Sequence, residues 1–149
     1  MKKLLLLLSL LISSNLFAIE KEVSLSFEST WNKVLQVLSI EGAIIGLKDK
    51  ASGVIQASSP VPISAFRLYF PHPSCIARGK VVSITTNITV VVKEINSDRS
   101  KIIMKGKGVI QSYGNNRFIF IKTGTYDIYT NCTPNRRFEE EFLVSFSKF

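Results

Sequence analysis

The chain has one histidine, His72, and two cysteines, Cys75 and Cys132, with no Cys-x-x-Cys pair. A protein zinc site draws three or four ligands from such groups, so no metal site is expected. A general base needs a partner within hydrogen-bond reach. Pro71-His72-Pro73 offers none, and His72 reads as a loop histidine. Ser74-Cys75 matches no nucleophile motif. Acids are few, 11 against 19 lysines and arginines, and scattered apart from Glu139-Glu140-Glu141. A paired-carboxylate glycosidase site is therefore not suggested. The basic excess forms no run of the kind a nucleic-acid-binding arm shows. No repeat or low-complexity tract is present, and no apolar run approaches the roughly 20 residues that span a bilayer. Together these absences leave no catalytic residues, no cofactor and no nucleic-acid partner to expect.

What is present begins at the N-terminus. Met1-Lys2-Lys3 precedes an apolar run from Leu4 to Ile12, interrupted only by Ser9. Ser13-Ser14-Asn15 and Leu16-Phe17-Ala18 follow. A positive start, an apolar stretch and a small residue at the cut site form a secretory signal peptide. We therefore expect residues 1–18 to be a cleaved leader and the product to be exported, periplasmic or secreted. No cysteine follows the apolar run, so a lipid-modified N-terminus is not expected. Losing Lys2 and Lys3 takes the formal charge from +8 to +6, which favours acidic partners. In an oxidising compartment an even cysteine count predicts one bridge, Cys75–Cys132. It would close a long loop and stabilise by roughly 2–4 kcal/mol.

Residues 19–149 read as one domain. Val23, Leu25 and Phe27 alternate with polar residues between Lys21 and Glu28, the period of a half-buried strand. Ser29 or Thr30 is placed to cap a helix. Trp31, Val34, Leu35 and Leu38 share that helix's apolar face, and Gly42 ends it. Ala43–Lys48 and Val54–Ser58 form a hairpin around the turn residues Asp49-Lys50-Ala51-Ser52-Gly53, and Pro60 and Pro62 end it. Ile84, Thr86, Ile88, Val90 and Val92 mark one face of a long strand. After a turn at Asn96-Ser97-Asp98 its partner runs from Lys101 to Gln111. Tyr113-Gly114-Asn115-Asn116 reads as a second turn, Arg117–Lys122 as a further strand, and Thr123–Asn131 has no clear period. A closing helix is expected from about Pro134 to Lys148, with Thr133 as cap. Phe138, Phe142, Phe146 and Phe149 form its apolar stripe, and Glu139 to Glu141 lie where the helix dipole favours negative charge. This order is α+β: a single curved antiparallel sheet, an N-terminal helix after the first strand, and a C-terminal helix packed on the sheet.

Ser26-Phe27-Glu28-Ser29-Thr30-Trp31, Leu35, Leu38 and Gly42, followed by Asp49-Lys50-Ala51-Ser52-Gly53-Val54-Ile55-Gln56, resemble the opening of small bacterial exported proteins and lipoproteins. Their better-known relatives are the BamC-type components of outer-membrane β-barrel assembly. The resemblance implies a helix-grip-like domain. The placing of Cys75 mid-chain and Cys132 just before the closing helix adds to the likeness. The chain departs from that pattern in lacking a lipidated N-terminal Cys and in having one domain, so a role in barrel assembly does not follow.

Two surface features remain. The aromatic segment Phe66, Tyr69, Phe70 either lids the core or forms an interaction patch. Lys101, Lys105 and Lys107 alternate along one strand, with Ile102 and Met104 on its other face. They form either a solvated face or a basic surface for an acidic partner such as anionic lipid or glycan. The expected function is a non-enzymatic envelope module that binds a protein or another envelope component, with peripheral membrane contact open. A carrier of lipid or a small apolar ligand, using the groove between helix and sheet, is the alternative. A cavity of roughly 300 Å³ or more would favour the carrier.

Overall fold

A computed structural model describes residues 18–70, 75, 80–118, 121–132 and 134–148, with side chains for all of these except 66, 114–118 and 121–130. The expected leader up to residue 17, His72, and the expected cap Thr133 lie outside the described residues. The elements run β1 (Ile19–Val23), α1 (Phe27–Ile40), β2 (Ile44–Asp49), β3 (Val54–Pro60), a 3-10 turn (Ile63–Ala65) and a one-turn helix α2 (Phe66–Tyr69). Then come β4 (Lys80–Asn96), β5 (Arg99–Phe118), β6 (Ile121–Cys132) and α3 (Arg136–Lys148). All six strands pair antiparallel in one curved sheet, with α1 after the first strand and α3 packed on the sheet, the α+β arrangement expected.

The spine of the sheet is β5. Along one edge it pairs with the whole length of β4, from Asn96↔Arg99 to Lys80↔Tyr113. Its other edge is shared by two strands placed end to end. β1 covers the first part, Ile19 opposite Met104 and Val23 opposite Ser100. β6 covers the second, from Cys132 opposite Gly108 to Ile121 opposite Phe118. Among the described residues no strand pairs with 105–107 on that side. The sheet continues from β4 through β3 to β2, whose free edge is broken by a bulge between Ile45 and Leu47.

Alternation decides which side chains face the core. Ile84, Thr86, Ile88, Val90 and Val92 of β4, and Ile102, Met104 and Ile110 of β5, are all buried on the inner face. Helix α1 lays Trp31, Val34, Val37 and Leu38 against them, and α3 adds Phe142 and Phe146. A smaller cluster under the far half of the sheet holds Val61, Phe70, Cys75, Ile84, Ile110 and Cys132. Phe70 is 2% exposed, and a Cβ added at Gly108 would overlap its ring. Glycine at 108 is thus what lets the Phe70 ring pack against β5.

Several boundaries differ from the sequence reading, and the expected strand Arg117–Lys122 is divided between β5 and β6, with Arg117 opposite Lys122. Strand β1 ends at Val23, and Ser26, rather than Ser29 or Thr30, caps α1 by accepting from the Ser29 amide at 3.3 Å. Thr30 is fully buried: its hydroxyl donates to Ser100 Oγ at 3.2 Å, and that hydroxyl donates to the Leu25 carbonyl at 2.7 Å. Strand β5 runs straight through Tyr113–Asn116, because Gly114, Asn115 and Asn116 lie opposite Tyr126, Thr125 and Gly124 of β6. Cross-strand pairing overrides local turn chemistry there, and the ambiguous stretch Thr123–Asn131 is strand. Helix α3 begins at Arg136, two residues later than expected. Gly42 does follow α1, at φ 72°, a left-handed conformation that glycine adopts without strain.

Trp31 is 4% exposed and stacks on Phe27, with ring centroids 6.0 Å apart. Trp31→Ala is expected to lower the unfolding free energy by about 3–5 kcal/mol, as for other buried large aromatics. Equilibrium urea unfolding followed by circular dichroism measures it. A change below about 1 kcal/mol would place Trp31 outside the core.

Candidate docking groove

The start of α3 meets the gap in the β5 edge. Burial of Phe142 and Phe146 fixes which face α3 turns to the sheet, and that brings Glu139 over Gly106. Its Oε1 accepts from the Gly106 amide at 3.1 Å. The carboxylate thus stands where a neighbouring strand's carbonyl would otherwise be. Close packing depends on glycine, since a Cβ at residue 106 would lie 3.0 Å from Pro134 Cγ and 3.2 Å from Glu139 Oε1. Glu139 is 3% exposed, and its Oε2 has no hydrogen-bond partner among the described residues. Burial raises its pKa above the usual carboxylate range, opposed by its own amide and that of Gly106. Sequence reasoning missed this residue, because Glu139, Glu140 and Glu141 look alike as acids near a helix start.

Just before α3, Asn135 ties α2 to the same helix. The Asn135 amide donates to the Tyr69 carbonyl at 2.7 Å, and its Nδ2 donates to the Leu68 carbonyl at 2.7 Å. The Tyr69 ring meets Phe138 edge-on at 6.0 Å, and its hydroxyl donates to Glu141 Oε2 at 2.7 Å. Arg137 Nε donates to the other Glu141 oxygen at 3.0 Å. Those two donors, Tyr69 first, hold the Glu141 carboxyl below its ordinary range. The same carboxylate raises the Tyr69 phenol, keeping it protonated as a donor.

These ties hold open a groove of about 200 Å³ between the end of α1, the end of β3 and the start of α3. Leu38, Ala43, Val61, Ile88, Phe138 and Phe142 line it, with Pro60 and Pro62 at one side. Glu41, Ser59, Tyr69 and Glu141 supply its polar atoms. The Glu41 carboxylate is exposed and has no described partner. Exposed Ile40, Ile63 and Leu68 each adjoin, in sequence, a residue that lines the groove.

The expected aromatic patch therefore divides. Tyr69 lines the groove; Phe70 takes the lid position in the second core cluster; the Phe66 side chain lies outside the described residues. Lys101, Lys105 and Lys107 do share the outer face of β5, remote from the groove. Lys101 pairs with Glu20 at 3.2 Å and approaches Glu22 at 3.9 Å, whereas Lys105 and Lys107 have no described ion pair. Cys75 and Cys132 are two buried free thiols in one cluster. Burial, with Cys75 as hydrogen-bond partner, pushes Cys132 up to about 12. Among the described residues, no group of three or more His, Cys, Asp or Glu could hold a metal ion. Nor is any described helix long and apolar enough to cross a membrane. No protein-family model matches the chain, and no curated protein matches it.

Glu139 gives this site a pH signature. A carboxyl whose pKa is raised on folding binds its proton more tightly in the folded state. Its favourable contribution is complete below the ordinary value of 4.5 and is lost as pH rises through the folded value. Glu139→Gln, which stays neutral, is expected to flatten the fall in melting temperature between pH 4.5 and neutrality. Parallel melting curves for the two proteins across that range would show that Glu139 does not titrate abnormally.

Proposed function

We propose that the protein is an exported, non-enzymatic module of the cell envelope that binds a partner protein in the groove between α1, β3 and α3. The observation that carries this reading is the groove's size and rim. At about 200 Å³ it is smaller than the roughly 300 Å³ that begins to suit an ordinary small ligand, yet it admits one large apolar side chain. Exposed Ile40, Ile63 and Leu68, each next in sequence to a groove-lining residue, offer apolar area that a protein contact buries. Glu41 adds an unpaired negative charge on a chain of net positive charge. The complementary partner presents an apolar side chain beside a lysine or arginine. The filled core on both sides of the groove weighs against the carrier reading.

Export is supported by the leader-like N-terminus, and with it the Cys75–Cys132 bridge. In the structure the two thiols share one buried cluster and interact with each other. Burial favours the protonated, less reactive form of Cys132. Protein recovered from the native compartment should be bridged. Intact-mass measurement with alkylation, with and without reductant, checks this: two alkylated cysteines without reductant would overturn it.

Affinity capture from the native envelope, with mass spectrometry of proteins and lipids, tests the groove. The expected result is one enriched protein that is lost on Glu41→Arg, a change at an exposed helix end that leaves the melting temperature within about 1 °C of the parent. Enrichment of a lipid instead, or a partner indifferent to both Glu41→Arg and Ala43→Phe, would refute the reading.

A further inference from the structure

Both long helices pack on the inner face of the sheet, and no described element covers the outer face of β3, β4 and β5. Two cross-strand rows there are polar throughout. Gln56 lies opposite Thr89, and Thr89 opposite Lys105. Ser58 lies opposite Asn87, and Asn87 opposite Lys107. Gln56, Ser58, Asn87 and Thr89, with Ile44 and Gly46 at the edge, line an open depression of about 370 Å³. Neighbouring strands are about 4.8 Å apart and alternate residues about 7 Å apart. Lys105 and Lys107 therefore stand as a pair along one side of a lattice of amides and hydroxyls, with no described acid to neutralise them.

We propose that this outer face binds an acidic glycan, a hydroxyl-rich chain bearing carboxylate or phosphate groups. Side-chain amides and hydroxyls can both donate to and accept from sugar hydroxyls, and the two lysines complement the anionic groups. An anionic bilayer fits less well. Membrane-binding basic patches gather four to eight lysines and arginines or add apolar side chains that insert, whereas here two lysines stand beside the depression and, of its two large apolar residues, Ile88 is buried and Ile44 exposed. This surface lies on the sheet face opposite the helices that frame the groove, so it stands or falls independently of the groove's partner.

Binding of the full chain to polygalacturonate, a uronic-acid polymer, tests the proposal, with neutral dextran and phosphatidylglycerol vesicles as comparisons. Expected is binding to polygalacturonate that weakens as salt rises, and none to dextran. The double change Lys105→Gln with Lys107→Gln should lower affinity by about tenfold. Gln56→Ala with Asn87→Ala should lower it about threefold with the salt dependence retained. Lys148→Gln, at the end of α3, should leave it unchanged. All these side chains point to solvent, and unchanged melting curves confirm that each variant is folded. Binding to vesicles but not to polygalacturonate overturns the proposal. So does equal affinity in the lysine double variant, or in the Gln56/Asn87 double variant, which would leave only diffuse charge attraction.

Discussion

The fold turns on the gap in the outer edge of β5. A strand edge presents unpaired amides and carbonyls, and an exposed edge invites pairing with another chain. Here β1 and β6 cover most of that edge but do not meet, and Glu139 reaches into the interval to take the Gly106 amide. Two glycines in alternate inner-face positions make the contact possible. Gly106 admits the start of α3 and Gly108 admits Phe70. Placing a carboxylate there costs desolvation, visible in the raised pKa of Glu139. What it secures is the position of α3, on which the walls of the groove depend.

From that anchor the groove follows without further devices. Once α3 starts at Arg136, Phe138 and Glu141 present themselves one turn further on, and Asn135 and Tyr69 bring the 3-10 turn and α2 against them. The proline-rich segment after β3 is thereby held as a wall. Pro60 ends the pairing with β4, and the Val61 amide still reaches the Ile84 carbonyl at 2.9 Å. Acid-base balance around the groove is two-sided: Glu141 favours folding as a carboxylate, while Glu139 favours it as the neutral acid. The two pH dependences run in opposite directions.

Much of this architecture was legible in the residues. The alternation from Ile84 to Val92, the opposed faces of β5, the Trp31–Leu38 face and the Phe138–Phe146 stripe all describe burial, which is what hydrophobic periodicity reports. The parts that were not legible depend on distant partners. Ser26, Ser29 and Thr30 are all competent caps, and only the contact of Thr30 with Ser100 decides among them. Tyr113-Gly114-Asn115-Asn116 is turn chemistry until β6 is laid beside it. Glu139 differs from its neighbours solely by facing Gly106. The groove joins residues from Leu38 to Phe142 and has no local signature at all.

The division of one edge between β1 and β6 also sets an order of events in time. Ile19 lies opposite Met104, so the first strand has no mate until the fifth exists. A chain delivered from its N-terminus therefore carries β1 unpaired through the making of α1, β2, β3 and β4. Pairings so distant in sequence form slowly. In chain order the residue that closes the edge, Glu139, comes after both β1 and β6. Until Glu139 arrives, Lys105 and Lys107 flank the one open stretch, and like charges beside an unfinished edge discourage two nascent copies from joining there.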